Sequence, residues 1–460
     1  MNGIFLVSII LKGIGALLEI LLQMLITGVM GVEGYGTYSA WINGADLIFW
    51  IGLSGLVKCN TFYLSGRDTS ITTFKRKYYF RYALPLLAVV AVVLCTLSKS
   101  AAVVMIPLIA GLELLVLDNS SSLLARGRMG RSLIGEYVLG RVTLVAGVLL
   151  LRLRGQLLFR ELLALYVLQY LLVLAFFRLR RGKPERACQD ISDRVSLGKW
   201  SAYQQSDLMH SMIEQMPVVA QYVFGGAFEA GVVSIVLLVK KLINFISGPT
   251  AKIFLPEFSR LYHAGDMEGI RGCYNSIMRI QMIVVGPLAV VLLGYPGVVL
   301  RILAEELLDY RGLFMICAAI FLLTASLGPC GGILQMTGNE KRDNLCRISA
   351  LGAMVLIMVA TRSDAYFMLY GLCGQVALEA VGKFVSVCAW LKRSPVKLTA
   401  YLHWWLVPCL VIGLSYALTL QESFGWMALS AFGVFCLGLL RELRNKENGI
   451  LKHFRKRKAQ

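Results

Sequence analysis

The residues best placed to do chemistry are charged groups inside long apolar runs. Lys240 and Lys241, with Asn244 a turn further on, interrupt a run that is otherwise largely apolar. Ionised side chains in such runs are costly, and by default they mark ligand or ion paths. Lys12 in the first run and Lys58 near the end of the second are further cations. Lysine ammonium groups pair well with phosphate oxygens, so these four form a candidate diphosphate-binding set. Lys58 is close enough to a polar flank to snorkel. Adjacent helical residues diverge by about 100°, so one of Lys240 and Lys241 can balance Glu214 while the other faces a ligand.

A second set is acidic. Asp207, His210 and Glu214 are spaced by three and four, which places them on one helical stripe that Gln204 and Ser211 extend. Asp207 or Glu214 is a candidate site for a coupling proton or sodium ion, with His210 as a relay; alternatively the acids only neutralise the lysines. Asp46, beside Asn43, has no evident partner and joins the candidate ion-coupling set, forming an acidic patch with Glu19. Glu113 and Arg141 fall at similar depth in consecutive runs and are expected to pair, as are Glu379 and Lys383 at i,i+4.

Covalent catalysis finds no constellation. The histidines are His210, His263, His403 and His453, far apart in sequence, with no HExxH, CxxC, GxSxG or GxxxxGK[ST] pattern. No enzyme activity, catalytic residue, metal site or cofactor is expected, beyond coupling to a proton or sodium gradient.

The elements carrying these residues must be membrane spans. Of 460 residues, 57% are hydrophobic and only 16% charged, and the mean hydropathy is +0.68. A soluble globular protein is excluded. About fourteen spans are expected, at roughly 3–30, 37–60, 80–97, 101–118, 132–151, 160–177, 199–223, 229–252, 278–299, 312–335, 344–361, 364–390, 402–419 and 423–440. The third and fourth are separated only by Ser98-Lys99-Ser100. The N-terminal run lacks a basic flank and a small-residue cleavage site, so it reads as the first span.

Most of the 46 Lys and Arg residues fall in the connections that share a side with both termini. The opposite loops carry Lys99, Arg152, Arg154, Arg160, Arg301, Arg311 and Arg362. The positive-inside rule then puts both termini in the cytoplasm, with only the basic loop 152–161 dissenting. The eleven cysteines show no disulfide framework. The basic tail 442–460 is expected to anchor on membrane lipid, and nucleic acid is not an expected partner.

The chain also repeats. Gly31-Val-Glu-Gly-Tyr-Gly36-Thr-Tyr-Ser39 matches Gly226-Ala-Phe-Glu-Ala-Gly231-Val-Val-Ser234 at an offset of 195 (226 against 31). Gly127 and Gly338, each before a basic cluster, match at 211 (338 against 127). The expected fold is an all-α polytopic membrane protein of two six-helix lobes in parallel repeat plus a C-terminal helix pair. Its expected parts are an N-lobe 1–180, a basic cytoplasmic linker 181–198, a C-lobe 199–391, spans 392–441 and the tail 442–460.

The turn GVEGYGTYS, the stretch IEQMPVVAQYVFGGAFEAGVVSIVLLVKKL, the following IFLPEFSRLYHAGDMEGI with Pro256, Glu257 and Arg260, and LQMTGNEKRDN carry a family likeness. With the span order, the chain resembles over its whole length the polysaccharide exporters of the multidrug/oligosaccharidyl-lipid/polysaccharide (MOP) superfamily, which include the O-antigen (Wzx-type) flippases. The resemblance implies a cavity lined by spans one, two, seven and eight. It implies alternating-access transfer of undecaprenyl-diphosphate-linked oligosaccharide to the outer leaflet of a bacterial inner membrane, in company with other polysaccharide assembly proteins. The family's Asp-Arg pair in span seven is replaced here by Glu214-Gln215. Multidrug efflux on the same fold is the main alternative, although cationic drugs would call for carboxylates and aromatics rather than lysines. A membrane-embedded polymerase or ligase is disfavoured by the short, acidic loop 300–311.

Overall fold

The computed structural model describes residues 2–64, 69–98, 101–126, 128–153, 158–179, 189–195, 197–392 and 398–444. Packing divides the chain into two compact units, Met1–Ser234 and Ile235–Gln460. Each of the fourteen expected spans coincides with a helix or a broken helix, and the fold is that of an all-α polytopic membrane protein. Ten helical segments among the described residues are long and apolar enough to cross a membrane, and Tyr401–Ala417 is a shorter apolar one.

In the first unit, α1 (Asn2–Gly52) holds span one and most of span two, broken where Gly31 adopts φ 71° and ψ 179°. Span two continues, after a second interruption, as α2 (Gly55–Leu64). Span three is α3 (Thr72–Tyr78) and α4 (Leu84–Ser98), joined by a π-helical stretch Tyr79–Ala83. Span four is α5 (Met105–Ala125), preceded by a 3-10 turn that separates it from span three. Span five is α6 (Met129–Leu133) and α7 (Gly140–Arg152), again around a π-helical stretch, and span six is α8 (Phe159–Leu179). Span seven is split into α9 (Leu197–Glu214) and α10 (Met216–Phe224).

Span eight, α11 (Ala227–His263), is 37 residues long. At 1.5 Å per residue it reaches about 55 Å, beyond a hydrocarbon core of about 30 Å. The unit boundary falls within it. This packing boundary lies C-terminal to the 181–198 linker because α9 and α10 pack on α1 and α2. It is a division by packing, whereas the expected lobes are read from the sequence repeat.

The second unit continues with α12 (Met267–Ala289), α13 (Pro296–Leu303), α14 (Arg311–Ser326), α15 (Cys330–Met336), α16 (Glu340–Ala360), α17 (Phe367–Trp390), α18 (Leu398–Ala417) and α19 (Phe424–Arg444). Its core gathers Phe258, Tyr274, Met282, Ile333, Val387 and Trp404. Outside it, leucines and valines such as Leu356, Leu410 and Leu437 stay exposed, as a lipid-facing surface requires.

Two two-residue strands, β1 (Thr69–Ser70) and β2 (Gln189–Asp190), pair in parallel, Thr69 with Gln189 and Ser70 with Asp190. Asp190 accepts hydrogen bonds from Thr73 and Ser192, and the Ser192 hydroxyl accepts one from the Phe74 amide. Ile71 and Ile191 are buried together with Cys59 and Tyr63. The segment after span six is thereby clamped to the segment after span two. No disulfide joins any of the ten described cysteines.

Candidate functional site

The lysines occupy different settings. From Val232 to Val239 every residue of α11 is buried, and Lys240 continues that face at 6% exposure. Lys241, one residue on, is exposed. Lys240 lies within electrostatic reach of Cys373 on α17. Lys58 is half-buried on α2, in the first unit. The side chain of Lys12 lies outside the described residues, as do those of Asp207 and His210. Glu214 is half-buried at the end of α9.

Span seven breaks at Gln215 (φ −104°, ψ −39°), where the resemblance leads one to expect an arginine. Pro217, at the start of α10, removes a backbone donor there. Discontinuous helices of this kind recur at transporter binding sites, where freed backbone groups face a cavity. The break was legible only as the Glu-Gln-Met-Pro sequence.

Gln204, expected to extend the polar stripe of span seven, is buried. Its Nε2 donates to the Trp50 and Ile51 carbonyls at 2.6 and 2.7 Å, and its Oε1 accepts from the Gly55 amide at 2.8 Å. It therefore satisfies the backbone groups released between α1 and α2. Gly55 permits this approach: a Cβ there would lie 2.6 Å from Trp200 Nε1 and 3.0 Å from Gln204 Oε1.

The acidic residues of the first unit pair differently from expectation. Arg141 Nε binds Glu19 Oε2 at 2.7 Å. Glu113, 8% exposed, hydrogen-bonds Asp46, while its Oε2 has no hydrogen-bond partner among the described residues. The expected Glu113–Arg141 pair and Asp46–Glu19 patch are thus re-sorted, because depth estimates say nothing of the direction in which a side chain leaves its helix. Tyr166 and Tyr170 lie close enough to feel Asp46, Glu113 and Arg141. Asp46 and Glu113 thus place two carboxyl groups side by side.

Two further networks surround carboxylates. Asp118, which sequence reasoning did not single out, meets Lys75 Nζ and Asn60 Nδ2 at 2.6 Å each and the Tyr79 hydroxyl at 2.9 Å. Asp343, in LQMTGNEKRDN and 1% exposed, binds Lys383 Nζ at 2.9 Å and accepts from Gln335 at 2.8 Å. Lys383 also reaches Glu379 at 2.6 Å, the expected i,i+4 pair, and Arg347 lies 3.5 Å from Asp343 and 3.7 Å from Glu379. Two cations against two carboxylates make a closed, neutral cluster. No group of His, Cys, Asp and Glu among the described residues has the make-up of a metal site.

The repeated glycines meet. A Cβ on Gly36 would lie 1.8 Å from the Ala227 carbonyl oxygen, and one on Gly231 would lie 2.3 Å from that of Val32. Val32 and Ala227 are themselves equivalent at the offset of 195, so the contact is reciprocal. Their repeat-mates Gly31 and Gly226 both take positive φ, 71° and 130°, and so does Gly338 at 73°. Gly127 lies outside the described residues.

No family model matches the chain. A solved MATE-family multidrug resistance transporter of the MOP superfamily, in an inward-facing conformation, is similar at TM-score 0.60 and 14% identity, over 84% of this chain and 98% of that one. The lipid II flippase MurJ, inward closed, is similar at TM-score 0.61 and 10% identity, over 96% and 99%. The fold is that of the MOP-superfamily transporters. Another solved MOP transporter, from Pyrococcus furiosus and described as having a binding pocket of reverse polarity, is similar at TM-score 0.55 and 12% identity, over 85% and 94%. The membrane protein EpsK of Bacillus subtilis (strain 168) is 23% identical over 292 residues, 59% of this chain. The matched stretch spans 57% of EpsK. The MOP neighbours named here are transporters and a flippase, not enzymes.

Proposed function

We propose that this MOP-fold protein is a flippase that moves a polyprenyl-diphosphate-linked oligosaccharide, an O-antigen or related repeat unit, across a bacterial inner membrane by alternating access. The observation that carries this reading is Lys240, a cation buried at the end of an apolar face with a second cation beside it. The substrate's physical difficulty is its diphosphate and glycan, since the polyprenyl tail can stay in lipid. A cationic path through about 30 Å of hydrocarbon answers it. Lys240 and Lys241, helped by Lys12 and Lys58, would hold the diphosphate.

The extent of the MurJ likeness supports a lipid-linked substrate. It covers 96% of the chain against 84% for the MATE structure, a difference about the size of a helix pair. Both termini are assigned to the cytoplasm by the distribution of basic residues. Asp207, His210, Glu214 and Asp46 would be the candidates for coupling to a proton or sodium ion, the last of them beside Glu113. Other polysaccharide assembly proteins would supply and receive the repeat unit. The MATE likeness favours a second reading, multidrug efflux, on which the acidic groups would receive a cationic substrate.

The test is reconstitution into vesicles with lipid-linked oligosaccharide on one face. Lys240→Ala with Lys241→Ala is expected to abolish transfer while leaving folding intact. Transfer at the wild-type rate would refute the lysine assignment.

A further inference from the structure

A groove of about 500 Å³ opens between α12, α18 and α19. Its walls include Met282, Val407, Pro408, Val434 and Leu437, and Leu437 is exposed on the lipid-facing side. At its charged end Arg441 stacks on the Trp404 ring at 4.4 Å and donates to the His403 carbonyl at 3.3 Å. These contacts fix the guanidinium plane without neutralising its charge.

The nearby charges can be counted. Arg279 and Glu442 pair at 3.8 Å, and among the described residues no carboxylate pairs with Arg441. Arg279 and Arg441 against Glu442 leave this end of the groove with a net charge of +1. The sequence beyond α19, residues 445–460, carries six Lys and Arg residues against one acid, Glu447, and lies outside the described residues.

We infer that this groove binds an anionic phospholipid, with its phosphate on Arg441 and an acyl chain along Met282, Val434 and Leu437. A guanidinium at a span's end is matched to phosphate by its fork of donors, and the apolar slot below it is matched to a chain. The site is separate from the lysines assigned to substrate, and it stands whether the transported molecule is a glycolipid or a drug.

The test uses full-length protein in vesicles, with phosphatidylglycerol or phosphatidylcholine brominated on the chain as quenchers of tryptophan fluorescence. The Trp404 contribution among seven tryptophans is isolated as the difference from Trp404→Phe. Brominated phosphatidylglycerol is expected to quench Trp404 at about fivefold lower mole fraction than brominated phosphatidylcholine. Arg441→Gln should erase that preference, whereas Arg441→Lys and Arg301→Gln, the latter an exposed arginine paired with Glu422, should keep it. Leu437→Phe, which narrows the slot, spares the charge and adds no tryptophan, should also reduce quenching of Trp404. Equal quenching by both lipids, or a preference that survives Arg441→Gln and Leu437→Phe, would overturn the inference. Displacement of phosphatidylglycerol by stoichiometric polyprenyl phosphate would likewise overturn it, making the groove a substrate entrance.

Discussion

Gly36→Ala perturbs the point where the second segment of α1 meets the start of α11. The new methyl would sit 1.8 Å from the Ala227 oxygen and 2.6 Å from the Gly231 nitrogen. Both are backbone atoms of a helix, so no side-chain rotation can relieve the clash. Ordinary contact begins near 3.4 Å, and the two helices must part by about 1.5 Å. Overpacking of this kind costs about 1–3 kcal/mol, which shifts a two-state equilibrium away from the closed contact by roughly five- to 150-fold. Gly231→Ala should act in the same direction, because its methyl meets Val32 reciprocally. The double variant should add little, since parted helices no longer clash. Gly28→Ala, with nothing within 4 Å, is the control. The assay is pulsed electron resonance between spin labels at Glu33→Cys and Glu229→Cys, with the eleven native cysteines replaced. The expected result is a longer distance in Gly36→Ala and Gly231→Ala and no change in Gly28→Ala. An unchanged distance in all three would refute the steric argument.

Gln204→Leu should lower the thermal midpoint in detergent by an amount equivalent to several kcal/mol, because three backbone groups lose their partner at about 1–3 kcal/mol each. A loss no larger than that of an exposed substitution would count against the bridging role. Lys383→Met should destabilise the second unit by about 3–5 kcal/mol by leaving Arg347 alone against the two carboxylates Asp343 and Glu379, and Asp343→Asn added to it should recover much of that, read by the same melts. Asp190 is held at about 2, below its usual 3.8, by hydrogen bonds from Ser192 and Thr73 to its ionised form. Its contribution to the β1–β2 clamp is therefore complete above about pH 4 and lost as the pH falls through about 2. Pepsin cleavage near the clamp should be faster in Asp190→Asn than in the native chain at about pH 4, and equal well below about pH 2.

The spans were legible because a bilayer demands long apolar runs and because Ser98-Lys99-Ser100 suffices to divide two of them. The repeat was legible at its glycines, where one conformation and one close approach admit no other residue: Gly31 and Gly226 turn the chain, and Gly36 and Gly231 touch. The partners of the charges were not legible. Glu19, Asp46, Glu113 and Arg141 share a depth range, and only the azimuth of each helix decides that arginine takes Glu19 while two acids face each other. Gln204 was legible as part of a polar stripe, but its partners were not: the broken backbone between α1 and α2 that it serves lies 149 to 154 residues away in sequence. Asp118 was not singled out, because the lysine and tyrosine that enclose it come from span three and the asparagine from span two.

The transported substrate is tested most directly by the amount and membrane sidedness of polyprenyl-diphosphate oligosaccharide in cells lacking this gene, with cationic-dye export measured in the same strains. The account predicts repeat units stranded on the inner leaflet, cleared when the intact gene is restored but not when Lys240→Ala with Lys241→Ala is supplied, and dye export unchanged throughout. Normal delivery to the outer leaflet with impaired dye export would contradict it and assign the fold to drug efflux.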